Sequence, residues 1–382
     1  MKVLVLGGDG YLGWATAMHL SGAGHEVCVC DNYLRRKLNT EFESEPLFPV
    51  PPLQDRADAW ARSGGARIEV VIGDVADWGF IRGLFEAFQP DAIIHYAELP
   101  SAPYSMASRD TAALVLQNNL GATLNVIHAV HETCPGAHII KLGTMGEYGT
   151  PNIDIEEGWI EIDHKGRRDR FLYPRQGGSL YHTTKIMDTD MLWFYVRAWG
   201  LRVTDLMQGP VYGVTTDESR RDPALAPHFS YDAVFGTVLN RFVVQAVAGV
   251  PLTIYGAGTQ RRGFLDIRDT LQCVRLVLET PPAAGELRIC NQFVEVFSIL
   301  DLADRVAGAA RALGLPVQVQ HLDNPRLEAE VHHYNPVHSA LPKLGLEPHL
   351  MTEDVVAGML EVVSVHRDRI DLAHILPEVR WR

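Results

Sequence analysis

The sequence contains no long apolar run. Nowhere do the ~18 consecutive apolar residues of a membrane-crossing helix follow one another. Val3-Leu4-Val5-Leu6 before Gly7-Gly8 is far shorter than the apolar region of a secretory leader, so a cytoplasmic protein is expected. Cysteine is scarce: the five residues Cys28, Cys30, Cys134, Cys273 and Cys290 are odd in number, dispersed, and without a C-x-x-C pair. That set fits reduced thiols and argues against a disulfide framework. Positive charge is deficient too, with 34 Lys and Arg against 47 Asp and Glu and a net charge of −13. A surface of that sign repels nucleic-acid phosphates and acidic membrane surfaces, so neither is expected as a partner, and a polyphosphate ligand needs local positive charge. There are no internal repeats and no low-complexity tracts.

What is present is the composition of a folded protein, 47% hydrophobic and 21% charged over 382 residues, a length that suits two lobes. Lys2–Leu6 reads as a fully buried strand. Gly7-Gly8-Asp9-Gly10-Tyr11-Leu12-Gly13 breaks it, and Trp14–Leu20 resumes at helical spacing. Glu26–Asp31 reads as a second buried strand. Residues 34–67 form a charged, Pro-rich insertion with a helix around Gln54–Arg62. Ile68–Asp74 and Ala92–Ala97 read as strands three and four, with a helix at Trp78–Phe88 between them. A fifth strand at His138–Leu142, a helix at Tyr181–Trp199 and a sixth strand at Arg202–Leu206 continue the alternation, and Glu286–Asn291 can return to the sheet as a seventh. Alternation of this kind predicts an α/β fold with a doubly wound parallel sheet of the Rossmann type. The expected organisation is a cofactor domain of residues 1–213 and 264–292 and a smaller interleaved substrate lobe of residues 214–263 and 293–382. Residues 153–172, rich in both charges, read as a solvated hairpin or loop.

Gly7, Gly10 and Gly13 follow the spacing G-x-x-G-x-x-G where a buried strand turns into a helix. The first permits the tight turn, the second lets backbone approach a pyrophosphate, and the third allows close packing of helix on strand. Asp31 ends the second strand about 20 residues on, where a carboxylate binds ribose hydroxyls and repels a 2′-phosphate, which favours NAD over NADP. Arg35 and Arg36 either contact a phosphate or cover the inserted loop. Asp74 either meets the adenine or caps the helix near Trp78. Tyr11, Leu12, Asn32, Val75, Tyr96, Ala97 and Gln208, at the strand ends or in the turns that follow, complete the expected cofactor wall.

Tyr181 and Lys185 stand at i and i+4 on one helical face, where the ammonium orients the nicotinamide ribose and, beside a phenol, lowers its pKa and makes it a base near neutral pH. The fifth strand runs into Gly143-Thr144, whose hydroxyl can hold a substrate oxygen. With these pieces the chain resembles the extended short-chain dehydrogenase/reductase family, whose members modify sugar nucleotides with tightly held NAD. Further matches are Asn119 with Thr123, placed before a helix, the run Gln208–Gly213, and the run Tyr255–Phe264. The resemblance implies that Arg262, and an arginine at a position like Arg326, contact the substrate diphosphate, and that the protein is a homodimer.

Within the family, Gly8–Tyr11 with Gly13–Ala17, Ser101–Met106, Lys141–Gly158, Tyr231–Thr237 and Leu265–Asp269 resemble the sulfoquinovose-synthase subfamily. That likeness implies oxidation of a hexose at C4, loss of water across C5 and C6, sulfite addition at C6, and return of hydride to C4, with Ser101, Thr144, Gly146 and Gln208 on the substrate. A C4 ketone acidifies the C5 hydrogen, so a modest base suffices. Sugar 4,6-dehydratases carry an Asp-Glu pair after the strand-five Thr, where this chain has Met145 and Gly146. Glu147 and His182 are then the candidate acids and bases, acting directly or by orienting neighbours. The chain also departs from its subfamily at Leu99-Pro100, where the pattern is Gln-Arg. An arginine lost from a site that must hold a small anion is not replaced by Leu or Pro. The product is then either a sulfonate or a 5,6-ene sugar, carried on a sugar nucleotide, a nucleoside or a related hexose. A UDP-sugar 4-epimerase and a non-catalytic NAD sensor are the other readings. His128 with His131, and His332 with His333, have no third convergent ligand, and no metal is expected.

Overall fold

A computed structural model describes residues 1–325, 333–377, 379 and 380. The order begins β1 (Lys2–Leu6), α1 (Tyr11–Gly22), β2 (Glu26–Asp31), α2 (Leu34–Glu41), α3 (Leu53–Arg62), β3 (Ile68–Ile72), α4 (Trp78–Phe88) and β4 (Ala92–His95). It continues through a short α5 (Ala102–Ser105), a long α6 (Arg109–Thr133), β5 (His138–Thr144), a β6–β7 hairpin (Trp159–His164, Arg167–Leu172), α7 (Leu180–Trp199) and β8 (Arg202–Gln208). After β9 (Val211–Tyr212) come α8 (Val238–Ala248), β10 (Leu252–Tyr255), β11 (Arg261–Asp266), α9 (Ile267–Glu279), β12 (Glu286–Gln292), β13 (Glu295–Ser298), α10 (Ile299–Ala312), β14 (Val319–Leu322), α11 (Ala340–Lys343) and α12 (Glu353–Val365).

Seven parallel strands lie in the order β12-β8-β5-β4-β1-β2-β3. The order runs outward in both directions from β1 and β4, so their carboxyl ends splay apart and open the crevice in which doubly wound sheets bind ligands. The strands are buried on both faces, hence their continuous Val, Ile and Leu runs. One face packs through Leu4, Leu6, Ile93 and Ile139 onto α4, α6 and α7; the other packs through Val3, Val5, Ile94 and Ile140 onto α1, α3 and α9. A separate apolar cluster, with Phe242, Val243, Leu302, Val306, Met359 and Leu360, gathers α8, α10 and α12.

Two local expectations change. Asn119 and Thr123 lie inside α6, which begins ten residues earlier than Asn119 at a capping box of Ser108 and Thr111. The cap of α4 is Asp77, whose carboxylate accepts from Phe80 N, whereas Asp74 closes a turn onto Ala76 N. The charged stretch is the β6–β7 hairpin, mostly exposed, with Arg170 4.6 Å above the Trp159 ring. The insertion carries α2 as well as the expected helix. His128 and His131 pack on the Trp199 ring of α7, His131 at 3.9 Å. His332 lies outside the described residues, and His333 meets Asp154 at 2.6 Å.

Candidate active site

The crevice at the carboxyl ends of the strands is a cavity of about 1240 Å³. That exceeds the usual range for one small ligand and leaves space for two. At its floor the three glycines do different work. Gly7 has φ +83°, and a Cβ there would lie 2.7 Å from the Tyr96 carbonyl carbon; a Cβ on Gly13 would lie 2.0 Å from Gly7 O. Side chains are excluded at both by backbone. Gly10 has only Gly7 O at 3.4 Å, so its missing side chain leaves the mouth of α1 open to the cavity, where the first N–H groups of that helix can meet an anion.

Asp31 stands beside this turn and accepts from Asp9 N at 2.9 Å and Tyr33 N at 2.7 Å. Burial raises its pKa to about 6, the Asp9 carboxylate adds to the rise, and the two backbone bonds hold it down. Asp9 itself lies well below the usual carboxylate range, because Arg36 and His228 outweigh its burial. Arg36 grips Asp9 through Nε and Nη2, both at 2.7 Å, and also donates to the carbonyls of Val50 and Pro51. The buried Arg56 of α3 adds a 3.1 Å bond to Asp9 O. Arg36 is therefore committed to the glycine turn and does not line the cavity. Arg35 does line it, stacked 3.5 Å from the Phe235 ring and bonded to Ser230 Oγ at 2.9 Å. Tyr11, Leu12, Asn32, Asp74, Val75, Tyr96, Ala97 and Gln208 all line the cavity as well. This cradle of open helix end, close backbone and acid suits a dinucleotide without a 2′-phosphate.

Further along the cavity stand Thr144, Met145, Gly146, Tyr181, His182, Lys185 and Arg262. Ser179 caps α7 by accepting from His182 N at 3.3 Å, which starts the helix one residue before Tyr181 and brings Tyr181, His182 and Lys185 to the end of β5. Gly146 explains the missing acid: a Cβ there would lie 2.4 Å from His182 Nε2. The imidazole occupies the space that a side chain at position 146 would take. Ser179 Oγ meets its other nitrogen, Nδ1, at 3.2 Å.

Glu147 is placed differently. It is fully buried, absent from the cavity wall, and held by Arg175 Nη1 at 2.9 Å, Lys141 Nζ at 3.5 Å and Thr144 N at 3.1 Å. Its carboxylate orients the Thr144 turn from behind. Asn119 and Ser101 also sit behind the wall: Asn119 accepts from Leu99 N at 2.9 Å and donates to Thr184 Oγ1 at 3.2 Å, and Ser101 donates to Val234 O. Arg326 lies outside the described residues.

Tyr181 differs from its expected acidity. Burial, then the charges of Glu98 and Glu147, push its pKa well above that of an ordinary phenol. The ammonium of Lys185 donates to Leu142 O at 2.5 Å and forms a close ion pair with Glu98. Glu98 is not among the residues expected at the site. It lies 87 positions from Lys185, and the available signal was an acid three residues past the end of β4.

Residues 3–291 match the model of the NAD dependent epimerase/dehydratase family. The chain belongs to that family. Members of this epimerase/dehydratase family similar to the chain include the chloroplastic UDP-sulfoquinovose synthase of Spinacia oleracea, 48% identical over 100% of this chain and 79% of its own. The UDP-sulfoquinovose synthase of Sulfolobus acidocaldarius is 44% identical over 100% of this chain and 98% of its own. Among solved structures, UDP-glucose 4-epimerase from Bifidobacterium longum, in complex with NAD+ and UDP, shares the fold with a TM-score of 0.72 at 20% identity, covering 94% of this chain and 97% of that one. Among the described residues, no helix is long and apolar enough to cross a membrane.

Proposed function

We propose that this epimerase/dehydratase family member is a 5,6-dehydratase of the sulfoquinovose-synthase type acting on a UDP-hexose. The observation that carries the reading is His182 seated in the space left by Gly146, beside an intact Thr144, Tyr181 and Lys185. Gly7, Gly10, Gly13 and Asp31 would hold NAD, which would supply the hydride acceptor for C4 and the hydride that restores it. Tyr181, in its phenolate form, takes the O4 proton. Thr144 Oγ1 accepts from Gly146 N at 3.1 Å, which leaves its hydroxyl hydrogen to donate to the substrate oxygen. His182 then removes the C5 proton, made acidic by the C4 ketone, and its imidazolium, in exchange with solvent, protonates the departing C6 hydroxyl, so that one water leaves. The Ser179 hydroxyl can donate to Nδ1 or accept from it, and so supports the ring in both roles. Residues 214–263 and 293–382 would form the lobe that holds the sugar nucleotide, with Arg262 on its diphosphate.

The wall where a sulfite would bind favours an alkene product. Leu99, packed in an apolar cluster with Leu38, Tyr104 and Val115, and Pro100 both line the cavity, and neither offers an anion a cation. Incubating the protein with NAD, UDP-glucose and sulfite tests this: the expected product has lost one water and carries no sulfonate by mass spectrometry. A sulfonated product would restore the full synthase reaction, and unchanged sugar mass would remove the dehydratase reading.

The five cysteines are unpaired, which fits a reducing cytoplasmic setting. A homodimer is supported by α6 and α7, which pack side by side and leave apolar stripes outward. Leu116 and Leu124 lie on α6, Met187 and Phe194 on α7, and Phe194 is 55% exposed. Replacing Phe194 and Leu124 with Glu is expected to yield monomers by light scattering; an unchanged mass would place any dimer interface elsewhere.

A further inference from the structure

Glu98 has no part in the chemistry described so far, yet it is 3% exposed at the cavity wall and forms an ion pair with the one lysine that the reaction needs. It stands just past the end of β4, held in place because Leu99 N and O both engage Asn119 of α6. His95, the last residue of β4, has its pKa lowered to about 4 by burial; its Nε2 bonds Thr123 Oγ1 at 3.1 Å and lies 3.8 Å from Glu98 Oε1. A neutral imidazole does not compete with Lys185 for the carboxylate. On α7, Asp188 is fully buried one turn beyond Lys185. Burial, and then the Glu98 charge, raise its pKa, and it is Glu98 that the structure pairs directly with Lys185.

We propose that Glu98 is a positioning residue for the O4 proton transfer: it draws the Lys185 ammonium toward the end of β4 and so governs when Tyr181 can act as a base. The inference rests on Tyr181 being that base. An ammonium shared with a carboxylate stabilises a phenolate less than one aimed at it alone, and the Glu98 charge opposes the phenolate directly. The other charged groups around Tyr181 come from different elements and remain when Glu98 is changed. Lys141 on β5 favours the phenolate. Glu147 beyond β5 opposes it, but is paired with Lys141 and Arg175. Asp205 on β8 meets Lys141 at 3.4 Å, and His182 adjoins Tyr181 on α7 at 5.3 Å between rings. Asp188 on α7 also opposes the phenolate and interacts with Lys185, but Glu98 is the carboxylate in direct ion-pair contact with that lysine.

The test is the ionisation of Tyr181 itself, read as near-ultraviolet tyrosinate absorbance in the NAD-loaded protein and corrected with the matching Tyr181→Phe variant. Glu98→Gln is expected to lower the Tyr181 midpoint by about one pH unit. The acid limb of kcat/KM should move down by the same amount. If Glu98→Gln does not fold, Glu98→Asp withdraws the carboxylate by one methylene and should move the midpoint in the same direction by less. An unmoved midpoint in whichever variant folds, even with a lowered kcat, overturns the proposal and leaves Glu98 a structural role. Because the titration needs no substrate, it remains decisive even if UDP-hexoses are not turned over.

Discussion

Tyr181→Phe is expected to lower kcat roughly a thousand-fold, the middle of the range for losing a positioned general acid-base group and equivalent to about 4 kcal/mol of barrier. The substitution removes one hydroxyl and keeps the ring, so the packing against His182 at 5.3 Å persists and folding should be unaffected. NAD affinity should change little, since Asp31, the glycine turn and Lys185 are untouched. Measuring kcat beside NAD binding by calorimetry separates the two. A rate equal to that of the unaltered protein would mean that Tyr181 is not the base, and would favour a binding role for the fold.

His182→Ala should separate the two halves of the reaction. Tyr181, Lys185 and Thr144 remain, so C4 oxidation proceeds and reduced cofactor accumulates, visible as its near-ultraviolet absorbance after UDP-glucose is added. Dehydrated product should fall by two to four orders of magnitude, the usual contribution of general acid-base catalysis. Gly146→Ala should behave in the same way, because its Cβ meets His182 Nε2 at 2.4 Å and the flexible end of the imidazole is what yields. Glu147→Ala should instead act on stability. It leaves the buried Lys141 and Arg175 without their carboxylate, a loss of about 3–5 kcal/mol, which a denaturation midpoint would report. If Glu147→Ala kept its stability and lost only turnover, the assignment of the two residues would be reversed.

Those contrasts show what the amino-acid sequence conveys and what it cannot. Lys2–Leu6, the glycine turn, Asp31 and the Tyr181–Lys185 spacing are local patterns whose geometry follows from strand and helix periods, and each sits where it was expected. Arg36 was ambiguous because its partner Asp9 lies 27 positions away in a turn whose side-chain direction spacing does not give. Glu147 looked like an acid near Thr144 because chain distance does not distinguish a cavity-facing side chain from one turned onto Lys141. The start of α6 was misplaced since that helix is apolar on two sides: Val115, Ala122 and Val126 face inward, and Leu116 and Leu124 outward, so no single stripe marks its period. Position 146 was read as the absence of an acid. The fold shows it to be the room for His182.

Deprotonation at C5 separates dehydration from epimerisation, because an epimerase needs Thr144, Tyr181 and Lys185 but no proton transfer at that carbon. The direct measurement is incubation with NAD and UDP-glucose in heavy water, with recovered sugar nucleotide and product analysed by NMR. The account predicts deuterium at C5 of recovered UDP-glucose together with a 5,6-ene product. UDP-galactose with hydrogen retained at C5 would contradict it.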